Sequence, residues 1–258
     1  MSKIARAFAQ GNVFIPFVTC GDPTIETTEA VVRSMAAAGA DLIELGIPFS
    51  DPTAEGPVIQ EASTRALAAG ATTDAIFDMV VRLRQDLDIP LVFMTYANVI
   101  FSYGIERFAQ RAEEAGIDGI ILPDVPFEER EEFAPAFAAH GIDLIAMIAP
   151  TSEDRIALIA KEATGFIYLV SSLGVTGVRS QITTDLEGIV ATIRATTDVP
   201  VAVGFGISTP EQAARMARLA DGAIVGSAIV RIVGAQGAQA AGSVGDYVRA
   251  MAEAVRGA

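Results

Sequence analysis

Gly39-Ala-Asp-Leu-Ile43 reads as a helix stop followed at once by a strand start. The phrase returns as Gly116-Ile-Asp-Gly-Ile120 and Gly141-Ile-Asp-Leu-Ile145, and Ala220-Asp-Gly-Ala-Ile224 varies it. Outward from these anchors, apolar strands are expected at Val13–Thr19, Asp41–Leu45, Leu91–Thr95, Gly119–Leu122, Asp143–Ile148, Gly165–Val170, Val199–Val203 and Gly222–Val225. Between them lie helical stretches: Thr24–Ala38, Val58–Ala68, Thr73–Leu87, Ile105–Ala115, an acidic stretch with Glu128, Glu129, Glu131 and Glu132, Glu153–Ala163, and one ending at Ala195. Thr209-Pro-Glu-Gln212 predicts a capping box with proline at the first helical position, and Asp246–Arg256 predicts a closing helix. Strands this continuously apolar are buried on both faces, as in a parallel sheet. Eight strand–helix units in 258 residues predict an α/β fold, a (β/α)8 TIM barrel forming one domain over residues 1–258. The N-terminal Met1–Phe8 stretch adds a short helix, and the loops after strands two and six are extended. A doubly wound open sheet is the alternative. It would more often carry a dinucleotide fingerprint after its first strand, where this chain has Thr19-Cys-Gly-Asp-Pro23.

Composition narrows the chemistry. A formal net charge of −14 argues against nucleic acid and anionic membranes, which need basic patches. No apolar run approaches a membrane span, and the N-terminus lacks the apolar core of a signal peptide. The lone cysteine, Cys20, excludes an internal disulfide and a multi-cysteine metal site and fits a reducing cytoplasm; it reads as a small buried residue. Lys3 and Lys161 are the only lysines and neither stands at a strand end, so a Schiff base has no nucleophile in place. His140 alone cannot build a multi-histidine zinc site. Carboxylates, tyrosines and backbone dipoles remain.

In such a barrel, chemistry sits where strands end. The strand-end inventory is Glu44, Tyr96, Asn98, Asp124, Tyr168, Gly204-Phe-Gly206 and Gly226-Ser227. Taken alone, Glu44 could equally be a strand-end residue turned to solvent. The glycines after strands seven and eight let backbone amides approach an anion, and a helix beginning near Ser227 would add its dipole, a phosphate seat made without lysine or arginine. Tight turns alone would also account for those glycines. Ser171 to Thr184 is long for a strand–helix loop, with Gly174 and Gly177 in it, and reads as a closing lid or a surface loop.

Glu44-Leu-Gly-Ile-Pro-Phe-Ser-Asp-Pro-Thr-Ala-Glu-Gly-Pro57 resembles the signature of the tryptophan synthase α subunit family. So do Phe14–Pro23, Met94–Asn98, Pro123–Pro126, Leu173–Gly177, Gly204–Ser208 and Gly226–Val230, in the family's order along essentially the whole chain. The resemblance implies a lyase of tryptophan biosynthesis that cleaves indole-3-glycerol phosphate, by a retro-aldol reaction, to indole and glyceraldehyde 3-phosphate. It implies no cofactor in this chain. Glu44 matches the catalytic acid/base, Tyr168 the tyrosine near the reacting carbon, and Glu55 the acid, more often aspartate, that accepts the indole N–H. Phe17, Met94, Leu122 and Ile148 would wall the indole pocket, with Tyr96 beside the substrate and Thr176 ordering the lid over it. Gly177, Phe205, Gly206, Gly226 and Ser227 would grip phosphate. The resemblance further implies a β subunit carrying pyridoxal phosphate, met through Pro48, Phe49, Ser50, Asp51, Asn98 and Pro126 in an α2β2 heterotetramer. Two other functions compete: a weakly catalytic activator of that β subunit, or a barrel isomerase of sugar phosphates, which would need a more polar pocket.

Overall fold

The computed structural model describes residues 1–151, 153–171, 185–204 and 206–258. Eight parallel strands close into a barrel in sequence order: β1 Val13–Thr19, β2 Ile43–Gly46, β3 Leu91–Met94, β4 Gly119–Ile121, β5 Asp143–Ile148, β6 Thr164–Val170, β7 Val201–Gly204 and β8 Gly222–Val225. β1 closes the ring against both β2 and β8. Around it run α1 Lys3–Phe8, α2 Ile25–Ala37, α3 Pro57–Ala68, α4 Thr73–Leu83, α5 Ala97–Tyr103, α6 Ile105–Ala115, α7 Ala134–Ala139, α8 Glu153–Lys161, α9 Leu186–Arg194, α10 Pro210–Leu219, α11 Ser227–Gln236 and α12 Ala240–Arg256.

Alternation along each strand makes two cores. Val13, Ile15, Phe17, Leu42, Val92, Ile121, Ile145, Phe166 and Ile224 fill the barrel, and Ile4 of α1 is buried with them. The extra N-terminal helix therefore packs where the strands begin, with Phe8 against Phe166 at 5.8 Å between ring centroids. Phe14, Phe93, Ile120, Leu144 and Val203 face outward into the larger core beneath the helices.

The repeated phrase has a physical role at that same end. Gly116 ends α6 in the left-handed conformation, φ 86°, which frees the chain to turn into β4. The aspartate after it closes the sheet. Asp41 accepts from the Phe14 amide at 2.9 Å, Asp118 from Leu91 at 2.9 Å and Asp221 from Val201 at 2.8 Å. Each aspartate thus holds the neighbouring strand's amide, and each also takes an arginine: Arg256, Arg84 and Arg194.

Three stretches depart from expectation. The acidic stretch is a 3-10 helix over Phe127–Glu132 and restarts as α7. Pro135 in one continuous helix would remove an amide and clash with the preceding turn. α5, unexpected from sequence, is only seven residues and is divided from α6 by Gly104 at φ 92°. The last helix begins at Ala240, not Asp246, because Gly245 packs directly on Ser34 of α2 and close packing outweighs glycine's poor helix propensity. The capping box forms as expected, with the Gln212 amide on Thr209 Oγ1 at 3.3 Å and Gln212 Oε1 accepting from the Thr209 amide at 3.2 Å.

Candidate active site

Glu44 stands on β2 with its side chain toward the barrel mouth, 1% exposed. One of its carboxylate oxygens is buried with no hydrogen-bond partner. Burial alone pushes its pKa up to about 8, so at neutral pH the group carries its proton. The loop over residues 47–56 follows, Gly56 caps α3, and Pro57 takes the first helical position. That loop returns Glu55 to the same cavity, 8% exposed and again with one buried, unpartnered oxygen. Burial raises Glu55 to about 7, against a hydrogen bond from the Tyr96 phenol that favours the charged form. Tyr96 also accepts from the Ala54 amide at 3.2 Å and stacks on Phe49 at 5.2 Å, so it fixes the loop that carries Glu55.

Tyr168 points inward from β6. Burial, then the charge of Glu44, holds its phenol well above the ordinary tyrosine range, so it remains a donor. Gly204 on β7 makes room for it: a Cβ there would collide with the Tyr168 hydroxyl. Phe17, Met94, Val58, Ile59 and Ile224 complete an apolar wall. At the other side lie Gly206, Ser208, Gly226, Ser227 and Ala228. α11 begins at Ser227 with no side-chain cap, and the first amides of a helix have no intrahelical acceptor. Such a helix start carries a partial positive charge of about half a unit and can receive an anion.

The structure therefore gathers Glu44, Glu55, Tyr168, Phe17, Met94, Gly206, Gly226 and Ser227 around one cavity, with Tyr96 just behind. Ile148 does not join them. It faces outward on β5, fully buried beneath the helices, because the inward positions of that strand are Ile145 and Met147. Leu122 likewise belongs to the outer core; the inward residue of that turn is Ile121. Leu122 lines a second cavity between β4, β5 and β6, which shares Ala54 with the first. Thr176, Gly177 and Phe205 lie outside the described residues.

Among the candidates for a partner surface, Ser50, Asp51, Asn98 and Pro126 are exposed and Phe49 half-buried, while Pro48 is buried. Pro48, Phe49 and Asn98 line one groove with Leu67, Ile76 and Tyr103. Phe101 of α5, 47% exposed, went unnoticed in the sequence for the same reason as its helix. Arg231 was also missed. It lines the cavity one helical turn beyond Ser227, so a cation stands beside the start of α11 after all. Among the described residues, no cluster of three or more histidine, cysteine or acidic side chains is placed to hold a metal ion.

Two buried acids and an uncapped helix start around one apolar cavity are the parts that a (β/α)8 enzyme would use for acid–base catalysis on a small anion. Comparison with known proteins then narrows the class. Residues 5–256 match the family described as tryptophan synthase alpha chain. The chain is 49% identical over 258 residues to the tryptophan synthase alpha chain of Lactiplantibacillus plantarum, covering 100% of this chain and 97% of that one. It is 48% identical over 255 residues to that of Lacticaseibacillus casei, covering 99% and 96%. A crystal structure of the alpha chain from Legionella pneumophila superposes with a TM-score of 0.88 at 37% identity, covering 99% of this chain and 97% of that chain. An X-ray structure of a tryptophan synthase complex from Pyrococcus furiosus gives a TM-score of 0.84 at 34% identity, covering 93% and 98%. The chain belongs to the tryptophan synthase alpha chain family. It is a lyase of tryptophan biosynthesis, acting in the cleavage of indole-3-glycerol phosphate, and neither the isomerase nor the activator is favoured.

Proposed function

We propose that Glu44, Glu55 and Tyr168 carry this cleavage, with the phosphate seated at the start of α11. The observation that supports the reading best is the pair of buried carboxylates, each with an unpartnered oxygen, on one apolar cavity. Buried acids normally satisfy both oxygens, so two that each keep one oxygen without a partner fit groups held for a ligand. Glu44, protonated at neutral pH, gives its proton to indole C3. The ring becomes an indoleninium, and the charge on its nitrogen is stabilised by the Glu55 carboxylate. Glu44, now a base, takes the proton of the glyceryl hydroxyl. The carbon–carbon bond breaks, its electron pair returns to the ring as indole, and the hydroxyl carbon becomes the aldehyde. Glu44 ends the cycle protonated, so the reaction consumes no net proton.

Tyr168 lies beside Glu44 as a phenol donor near the reacting carbon, and Phe17 and Met94 flank the ring. Tyr96 supports the loop bearing Glu55. Gly206, Gly226 and Ser227 hold the phosphate through backbone amides, with Phe205 and Gly177 joining them and Thr176 closing the lid. The chain works as one domain over residues 1–258, in the cytoplasm, and needs no cofactor of its own. Among the described residues no helix is long and apolar enough to cross a membrane.

The partner in this reading is a β subunit that holds pyridoxal phosphate, in an α2β2 assembly. The groove lined by Phe49, Asn98 and Leu67, with exposed Phe101 on the same helix as Asn98, supports it. Release of indole from indole-3-glycerol phosphate, assayed with and without the β subunit, tests the whole reading. Release is expected in both and faster with the partner; none in either would overturn it.

A further inference from the structure

We propose that Arg231 is the counter-charge that draws the phosphorylated substrate into this cavity and distinguishes it from the uncharged alcohol. Arg231 is the only cationic side chain lining the cavity among the described residues. It lies on α11 four positions after Ser227, hence on the same helix face as the anion seat. The cavity fits a ligand site on independent grounds, since Glu44 and Glu55 both line it and each has a buried, unpartnered oxygen.

The need for a full positive charge follows from the rest of the molecule. A chain of formal net charge −14, with the Glu55 carboxylate in the cavity, repels an approaching dianion. The helix start offsets this by only about half a charge. Most other arginines are already committed: Arg65 to Asp22, Arg84 to Asp118, Arg256 to Asp41, Arg155 to Glu128. Arg231 has no ion pair among the described residues, and its side chain is exposed, so its charge is available at the mouth. The neighbouring phenol does not occupy it as an acceptor would: Tyr247 donates to the Ser208 carbonyl at 2.8 Å, and burial pushes its pKa up to about 12, so it stays neutral beside the arginine.

The phosphate takes no part in bond breaking, so an ion pair there stabilises bound substrate and transition state alike. Such an interaction is expressed in KM and leaves kcat unchanged. The proposal rests on the phosphate seat given under Proposed function, and the test separates the two. Steady-state indole release is measured for the parent, Arg231→Gln and Arg231→Lys, with indole-3-glycerol phosphate and with phosphate-free indoleglycerol, at low and high salt. Arg231→Gln is expected to raise KM for the phosphorylated substrate about tenfold, the scale of one hydrogen bond to a charged group, with kcat within about twofold. KM for indoleglycerol should shift by less than about twofold, and the salt dependence of kcat/KM should flatten. Arg231→Lys should recover most of the loss. If KM stays within about twofold of the parent's in Arg231→Gln while the parent still prefers the phosphorylated substrate, the role of Arg231 is overturned and the phosphate seat stands. If the parent turns over both substrates equally well, both are overturned. Circular dichroism should match across the three proteins, because the exposed guanidinium has no hydrogen bond or ion pair among the described residues.

Discussion

The two ends of the barrel treat the same functional group in opposite ways. Where strands begin, Asp118 receives the Leu91 amide and the Arg84 guanidinium, and Arg84 is itself held by the carbonyls of Gly116, Leu87 and Ile89. Asp41 and Asp221 repeat the arrangement. Where strands end, Glu44 and Glu55 are at least as buried but keep an oxygen unpaired. Location alone does not decide it, because Asp22, also beyond a strand end and 1% exposed, takes a bidentate bond from Arg65 at 2.8 Å for both contacts. Full pairing thus separates the acids that hold elements of the fold together from the two to which the proposed mechanism assigns the chemistry. An unpaired buried acid costs stability, which the paired ones at the other end help offset.

The sharpest way to break this contrast is Glu44→Gln. Indole release should fall at least 10²- to 10⁴-fold, the usual worth of a general acid–base group, while the fold persists. Retention of more than about a tenth of parental turnover would remove Glu44 from the reaction. Stability should move the other way. The folded pKa, about 8, lies above that of the exposed side chain, so the folded state binds the extra proton. Parental stability is therefore full at low pH and declines as pH rises toward and through 8, and Glu44→Gln should lack that decline in thermal midpoints measured from pH 5 to 9.

Glu55→Gln comes next, with an expected loss of about 10²- to 10³-fold in kcat, since the neutral amide keeps the size and loses the charge facing the indoleninium. Glu55→Asp should be milder, because charge is kept and reach shortened. Near-parental kcat in both would place Glu55 outside the reaction. With Glu55 needed ionised, above about 7, and Glu44 needed protonated, below about 8, the parent's kcat/KM should trace a narrow bell between those values. At the opposite end, Asp118→Ala strands Arg84 in a half-buried site and should cost about 3 kcal/mol in denaturant unfolding without touching kcat. A loss of turnover at unchanged stability would reverse the assignment. The smallest effect belongs to Tyr247→Phe. Losing the bond to the Ser208 carbonyl loosens the phosphate loop, and KM should rise about threefold, measurable in the same kinetics.

Much of this was legible in the residues. The recurring glycine–aspartate phrase placed strands two, four and five, and Gly206 and Gly226, picked out after strands seven and eight, do line the cavity. What escaped depended on relations that no short stretch carries. Ile148 and Leu122 sit one step off the inward register, and strand parity is settled by pairing with neighbours, not by hydrophobicity. Arg231 could have been found by counting one turn on from Ser227, had the helix start been used to assign a face. α5 and Phe101 were hidden because seven residues ending on a glycine show too little periodicity. Glu55 was visible at once, whereas its return to the cavity beside Glu44 depends on a loop held by Tyr96 from another strand.

Cys20, just beyond β1, is fully buried, with its amide on the Gly46 carbonyl at 2.8 Å, and burial holds its thiol far above the usual range. A protonated thiol out of reach of solvent does not react with alkylating reagents. The chain thus contains a single built-in clock: a maleimide or iodoacetamide can mark it only after β1 parts from the helices around it. With reagent in excess, labelling followed by intact mass reads how often the barrel opens at Cys20 in the unaltered chain, and a cysteine placed on an exposed surface would be labelled alone while the native ring stays shut.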